Sequence, residues 1–225
     1  MKMKTAFYTF MIVLFAVVLA NAQNVNRLNQ YVKLPAGQAV IETQNFGAPT
    51  AADTASIKSP YAGNTSAAAN TLTSFLANPD VPRNLVITPG GTTADVAACT
   101  VVVNGTDYKN SSISENFAFS ANASTATTGA KAFKTVTSVV FPANCEDSPF
   151  GATWSIGVGE KIGLKKCMDT AADWFHSSLD GTKEATAATI TTSASTLSLN
   201  TADFNGTMNG SAVFRGYFIQ NFQCY

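Results

Sequence analysis

Few side chains in this chain of 225 residues have the type and spacing that chemistry requires. Its one histidine, His176, follows Phe175, and a lone histidine beside an aromatic residue is more often packed or at the surface than a general base. The glycines at 157, 159 and 163 lack dinucleotide-site spacing, and no nucleophile-elbow, zinc-protease or phosphate-loop motif occurs. The sequence therefore predicts a protein that is not an enzyme and that uses no cofactor or small-molecule substrate.

The four cysteines, Cys99, Cys145, Cys167 and Cys224, have no C-x-x-C spacing and only one histidine to join them, so a zinc site is not expected. In an exported protein they would form disulfides, for which three pairings exist. We favour Cys145 with Cys167, because a hairpin could bring them together, and Cys99 with Cys224 by elimination. In a reducing cytosol they would be buried thiols.

Other polar and aromatic groups suggest ligands only weakly. Glu146-Asp147 and the pair Asp169 and Asp173 could bind calcium in loops, but without EF-hand spacing solvated carboxylates are expected. Trp154, Trp174 and Tyr217 could form a sugar platform, although a place in the core is the stronger expectation.

Six N-x-[S/T] sequons are candidate glycosylation sites in a eukaryotic secretory route. They begin at Asn64, Asn104, Asn110, Asn122, Asn205 and Asn209. Asn, Gly, Ser and Thr also dominate turns, so sequons arise from composition alone.

The elements that would position these residues are strands. Beyond Pro82, short runs rich in Val, Thr and aromatic residues alternate with turn signals, and Asn104-Gly105 and Asp180-Gly181 each predict a hairpin. Trp154, Ile156 and Val158 share one face of a strand. Many short strands at regular spacing predict an all-β fold, an antiparallel β-sandwich or barrel-like domain.

A second strand face, formed by Ile113, Phe117 and Phe119, also includes Glu115. A carboxylate on an apolar face needs a hydrogen-bonding partner or a place at the sheet edge. The glycines near residues 157–163 predict a close approach of another backbone.

The N-terminus resembles a secretory signal peptide. Lys2 and Lys4 precede an apolar run over residues 5–20, and small residues then lead to a predicted cleavage between Ala22 and Gln23. A retained membrane anchor and an unrelated apolar arm are the alternatives. We thus divide the chain into a signal-like segment at 1–22, an extended Ala/Thr/Ser-rich, irregular N-terminal arm at 23–77 and a β-sandwich domain at 78–225. Within the arm, residues 32–34 and 38–43 could be short strands, and residues 71–76 a strand or one helical turn.

Composition limits the partners. The chain has 14 basic and 14 acidic side chains, and only 12% of its residues are charged, against about 25% in ordinary globular proteins. Nucleic acid is not an expected partner, because phosphate binding needs clustered Lys and Arg. A surface of Ser, Thr, Asn and Ala has few charges to desolvate and suits packing against neighbours.

Four phrases occur in a characteristic order. They are Asn-Pro-Asp-Val-Pro-Arg-Asn-Leu at 78–85, Lys-Ala-Phe-Lys-Thr-Val-Thr-Ser at 131–138, Val-Gly-Glu-Lys-Ile-Gly-Leu within 155–164, and Leu-Asn-Thr-Ala-Asp-Phe-Asn within 197–210. In this order the chain resembles a family of β-rich virion proteins of tailed phages and prophages, which are capsid decoration (cement) or related head proteins. The resemblance covers about two thirds of the chain.

The resemblance implies a structural virion protein that stabilises a capsid shell by multivalent contacts. Its partners would be a major capsid protein or other copies of itself, as a homo-oligomer on a lattice. We expect deletion of residues 23–77 to abolish shell binding and leave the domain folded. The alternative is a secreted or cell-surface β-sandwich that binds a glycan or a protein, which the signal-like segment, the sequons and the cysteines favour.

Overall fold

The computed structural model describes residues 41–62 and 68–219, and within them the secondary structure consists of strands and three short 3-10 turns. The strands are β1 (Ile41–Gly47), β2 (Asp53–Tyr61), β3 (Asn70–Leu72), β4 (Arg83–Gly91), β5 (Cys99–Thr106), β6 (Ser112–Phe119), β7 (Thr127–Phe133), β8 (Thr135–Phe141), β9 (Ala152–Gly163), β10 (Trp174–Leu179), β11 (Thr182–Lys183), β12 (Thr189–Thr191), β13 (Thr201–Asp203) and β14 (Phe214–Ile219). The prediction of an all-β fold is confirmed. No helix in these residues is long and apolar enough to cross a membrane.

The strands form three antiparallel sheets. Sheet A has the order β1-β14-β10-β11, and sheet C has the order β3-β8-β5-β6. Sheet B has the order β12-β13-β9-β4-β7, and β2 also pairs with β9. Because β9 is 12 residues long, one of its edges holds β13 at residues 161–163 and β2 at residues 154–158.

Two apolar clusters hold the sheets together. The first lies between sheets B and C, where Trp154 contacts Phe119 and Phe141 at ring-centroid distances of 5.0 and 5.3 Å. The second packs sheet A against the end of β9, with Phe204 at its centre, 5.0 Å from the Phe214 ring. The predicted shared face of Trp154, Ile156 and Val158 is confirmed, since all three belong to the first cluster.

The predicted irregular arm at 23–77 was wrong for residues 41–47, 53–61 and 70–72, which are strands of all three sheets. The short strands considered at 38–43 and 71–76 overlap the first and the last of these. Gln44 of β1 is buried and donates its side-chain N–H to Gly163 O at 3.2 Å, and Ile57 of β2 lies in the first cluster. Deleting residues 23–77 would remove β1, β2 and β3, so we now expect this deletion to unfold the domain. Residues 23–40 lie outside the described part of the chain.

One hairpin turn was misplaced and the other is confirmed. Asn104-Gly105 lies within β5, and the turn to β6 follows at Asp107, whose carboxylate accepts hydrogen bonds from the Lys109 and Ser111 N–H groups. Gly105 is required instead for packing, because a Cβ there would overlap the Thr135 backbone in β8. At the β10–β11 turn, Asp180 and Gly181 have positive φ values of 50° and 83°, as a type I′ turn requires.

Gly157 marks the closest approach of two strands. A Cβ built on this residue of β9 would overlap the backbone of Asp53 and Thr54 in β2, which confirms the expected close approach. We predict that Gly157→Ala lowers the free energy of unfolding by about 3 kcal/mol, because backbone on both sides must move apart. Urea denaturation measures this loss.

Gly90→Ala in β4 is the matched control. A Cβ there meets only the Thr153 hydroxyl at 3.2 Å, which a side-chain rotation relieves. If Gly157→Ala is no less stable than Gly90→Ala, the tight packing of β2 on β9 is incorrect.

Candidate functional site

The phrase at 78–85 forms a polar junction at the start of β4. Arg83 is fully buried, and its guanidinium donates to Gly159 O through Nε at 2.8 Å and through Nη2, and to Thr50 O through Nη1 at 2.7 Å. The Asp80 carboxylate lies 3.5 Å from Nη1 and accepts the Thr50 N–H at 2.7 Å. Burial lowers the pKa of Arg83, but a guanidinium remains charged at any relevant pH.

The same junction lowers the pKa of the Asp80 carboxyl group. Burial alone would raise its pKa, but hydrogen bonds from the Thr50 and Val81 N–H groups and the positive charge of Arg83 outweigh burial and hold the pKa below its usual range. Folding therefore favours the ionised form of Asp80. The contribution of this form to the free energy of unfolding is lost as the pH falls through the folded-state pKa.

Two asparagines of this phrase connect further strands. Asn78 Oδ1 accepts the Val136 N–H at 2.9 Å. Asn84 is buried; it donates Nδ2 to Gly129 O at 3.1 Å and accepts the Lys161 N–H at 2.9 Å. The polar residues of the phrase therefore satisfy backbone groups of neighbouring strands.

The phrases on which the family resemblance depends are neighbours in space. They place β4, the β7–β8 corner and β9 side by side, since β4 pairs with both β7 and β9. The fourth phrase supplies β13, which pairs with the end of β9. The phrases thus define a structural framework.

Glu115 of β6 bridges sheets B and C. Its Oε1 accepts the N–H groups of Ala130 and Lys131 in β7 at 2.6 and 3.1 Å, while Lys131 Nζ donates to Ser114 O at 2.6 Å. The Glu115 carboxylate and the Lys131 ammonium thus connect β6 of sheet C to β7 of sheet B by side-chain-to-backbone hydrogen bonds. The expectation that Glu115 needs a partner is confirmed. Gly129 leaves the space for Oε2.

Burial raises the pKa of the Glu115 carboxyl, although the two N–H donors and Lys131 oppose this. A raised folded-state pKa means that protonation favours the folded state, fully below the unfolded pKa and less as the pH rises through the folded pKa. We predict that acidification from neutral pH raises the stability of the wild type relative to Glu115→Gln. Urea denaturation of both proteins across this pH range measures the difference.

Asp80→Asn is the control of opposite sign. Because the pKa of Asp80 is lowered, the wild type should lose stability relative to Asp80→Asn as the pH falls. A difference between wild type and Glu115→Gln that stays constant with pH would contradict the role of burial at Glu115.

The predicted cysteine pairing was wrong. Cys99 and Cys145 form a disulfide with Cα atoms 5.2 Å apart. They meet because Cys99 begins β5 while the loop after β8 returns beside it, as the hydrogen bond from Ala97 N to Cys145 O at 3.0 Å indicates. Cys145 is therefore not free to pair with Cys167, which is itself buried and disulfide-bonded. Cys224 lies outside the described residues.

Neither tryptophan is available as a sugar platform. Trp154 is fully buried and donates its indole N–H to Glu146 at 2.9 Å. Trp174 is stacked on Phe218 with a centroid distance of 5.7 Å and lies over Gly216, where a Cβ would overlap its ring. The expectation of a place in the core is confirmed for the two tryptophans and was wrong for Tyr217, which is half-buried and stacked on His176.

The acidic residues considered for calcium do not form a site. Glu146 is buried against Trp154, and Asp173 accepts the Thr170 N–H at 3.3 Å within a capping box. Among residues 41–62 and 68–219, no group of three or more His, Cys, Asp or Glu side chains could hold a metal ion. The expectation of solvated carboxylates is confirmed for Asp147 and Asp169, which are exposed, and was wrong for the buried Glu146.

The sequons differ in accessibility. Asn104 lies within β5 and donates to Ser138 Oγ at 3.1 Å, so its side chain is engaged. The side chains in exposed turns and loops are those of Asn110, Asn122, Asn205 and Asn209. Asn64 and the predicted cleavage site at Ala22 and Gln23 lie outside the described residues.

No sequence motif predicted the exposed outer face of sheet A. Phe175 of β10 is 51% exposed and Ile41 of β1 is 57% exposed. His176 of β10 is stacked on Tyr217 of β14, the strand between β1 and β10, with a ring-centroid distance of 4.3 Å. The signal in the sequence was the pair Trp174-Phe175, of which an alternating strand buries only one member.

A concavity lies between the β5–β6 turn and residues 195–198. It is a shallow cleft of about 240 Å³ with Asp107, Lys109 and Ser198 among its lining residues. It is smaller than the roughly 300–1,000 Å³ of a drug-sized site.

No family model, no curated protein and no solved structure matches this chain.

Proposed function

We propose that this protein is a non-enzymatic structural protein of a virion, which decorates or stabilises a capsid shell by multivalent protein–protein contacts. The observation that carries the proposal is the ordered set of four phrases, together with their positions on adjacent strands of one sheet. A shared order of framework segments favours a shared fold. The low content of charged residues and the exposed aromatic face of sheet A are consistent with a protein that works in contact with neighbours.

The proposed mechanism is multivalent binding. Each copy contributes a modest contact, and repetition on a lattice raises the effective concentration of every further contact. The framework residues Asp80, Arg83 and Asn84 join neighbouring segments by hydrogen bonds, and a preorganised domain loses less conformational entropy on docking.

Peptide mass spectrometry on density-banded particles from the source culture tests this function. We expect the protein to co-band in stoichiometric amounts with a major capsid protein. If it occurs only in the soluble secreted or envelope fraction, the virion role is incorrect. The first peptide would also show whether the chain begins at Gln23.

The second candidate is a secreted or cell-surface β-sandwich that binds a glycan or a protein. The disulfide between Cys99 and Cys145 and the oxidised state of Cys167 favour it, because disulfides persist mainly in oxidising compartments. Since Trp154 and Trp174 are buried, a glycan would need another surface. A glycan array with the intact protein tests this candidate.

A further inference from the structure

The outer face of sheet A, termed here the aromatic face, combines exposed apolar groups with positive charge. Strand register places Ile41 opposite Ile219, and Tyr217 opposite His176. Phe175 lies beside them, at the register shift between Trp174 and His176. The opposite face of the same strands is buried in the second apolar cluster.

Phe175 is exposed because of a β-bulge. In regular alternation Trp174 and His176 would share a face, but the register shift keeps Trp174 stacked inside on Phe218 while both following rings point outward. Bulges that redirect a side chain are over-represented next to functional sites. An aromatic ring that is half exposed on a sheet offers apolar area that a partner can bury.

The two charged side chains that strand register places on this face are both basic. Register places Arg215 and Lys183 on either side of Ser178, and among the described residues neither forms an ion pair. The carboxylates at the strand ends accept backbone hydrogen bonds, Asp173 from the Thr170 N–H and Asp180 from the Val213 N–H at 2.8 Å, and among the described residues neither forms a salt bridge with Arg215 or Lys183.

The acid on β1 does not compensate this charge. Glu42 lies on the other side of the strand and pairs with Lys165 at 2.6 Å. The basic side chains of the aromatic face, Arg215 and Lys183, therefore have no ion-pair partner among the described residues and lie beside its apolar residues.

We propose that the aromatic face is the docking surface of this protein, and that it binds an acidic surface of the shell subunit that has apolar side chains at its centre. The inference rests on the proposed virion role. Phe175 and Tyr217 supply the aromatic anchors that dominate interface energetics. Arg215 and Lys183 select an acidic partner and accelerate encounter.

Re-addition of purified protein to particles from the source culture, stripped of their own copies, tests this proposal. The bound fraction is measured by sedimentation against protein concentration. We expect Phe175→Ser and Arg215→Glu each to raise the apparent Kd at least tenfold. Binding of the wild type should weaken with salt, and Arg215→Glu should reduce that salt dependence.

Two variants control for the chemistry of the substitutions. Leu76→Ser removes another apolar side chain, which is 67% exposed and lies outside sheet A. Lys134→Glu reverses an exposed charge at the β7–β8 corner. Both should bind like the wild type, and circular dichroism should show that all four variants are folded.

The outcomes separate this proposal from the virion role. If the wild type binds while Phe175→Ser and Arg215→Glu bind as well as the controls, the docking surface is incorrect although the virion role stands. If the controls are impaired to the same extent, the aromatic face is likewise not the specific contact. If the wild type does not bind stripped particles at all, both proposals fail.

Discussion

Arg83→Met should lower the free energy of unfolding by about 4 kcal/mol, as expected when one partner of a buried charged network is removed. Methionine fills a similar volume but donates no hydrogen bond, so the carbonyls of Gly159 and Thr50 lose their donors in a site where Arg83 is 0% exposed. Asp80 would also lose the cation beside it. Urea denaturation monitored by tryptophan fluorescence measures the loss.

Two variants place this value in context. Arg83→Lys keeps the charge but lacks the planar fork that reaches both carbonyls, so we expect it to recover only part of the loss. Arg215→Met changes an arginine that is only half buried and should cost less than about 1 kcal/mol. If Arg83→Met and Arg215→Met are equally stable, the polar junction at the start of β4 does not contribute to the stability of the fold.

Replacing Cys99 and Cys145 together with alanine should cost about 4 kcal/mol, the chain-entropy value for a loop of this length. The two residues are 46 positions apart, and their bond ties the start of β5 to the loop after β8. The double variant avoids leaving a single free thiol. Urea denaturation without reductant measures the change and keeps the disulfide of Cys167 intact.

The pairing itself has a direct test. A proteolytic digest under non-reducing conditions should contain a linked peptide that joins Cys99 and Cys145. A peptide that joins Cys145 to Cys167 would contradict the structure. It would also restore the pairing that sequence spacing favoured.

Patterns between near neighbours in sequence predicted this protein well. The shared face of Trp154, Ile156 and Val158 follows from the two-residue period of a strand. The turn at Asp180-Gly181 follows from the positive φ values that these residue types tolerate. The need of Glu115 for a partner follows from one carboxylate on an apolar face.

Patterns that depend on distant segments were predicted poorly. Asn104-Gly105 has the composition of a turn, yet Gly105 is needed because β8 passes close to β5. Residues 41–61 have the composition of an arm, yet β1 pairs with β14 and β2 pairs with β9. In both cases the deciding partner lies far away in the sequence.

The sequence by itself determined the all-β class, the buried faces of β6 and β9 and the order of phrases behind the proposed function, because these are properties of local period and composition. Only the tertiary structure decided the pairing of Cys99 with Cys145, the burial of Arg83 and the exposure of Phe175. Each of these depends on which strands become neighbours. A bulge or a crossover between strands changes the surroundings of a side chain without changing the local pattern in which it stands.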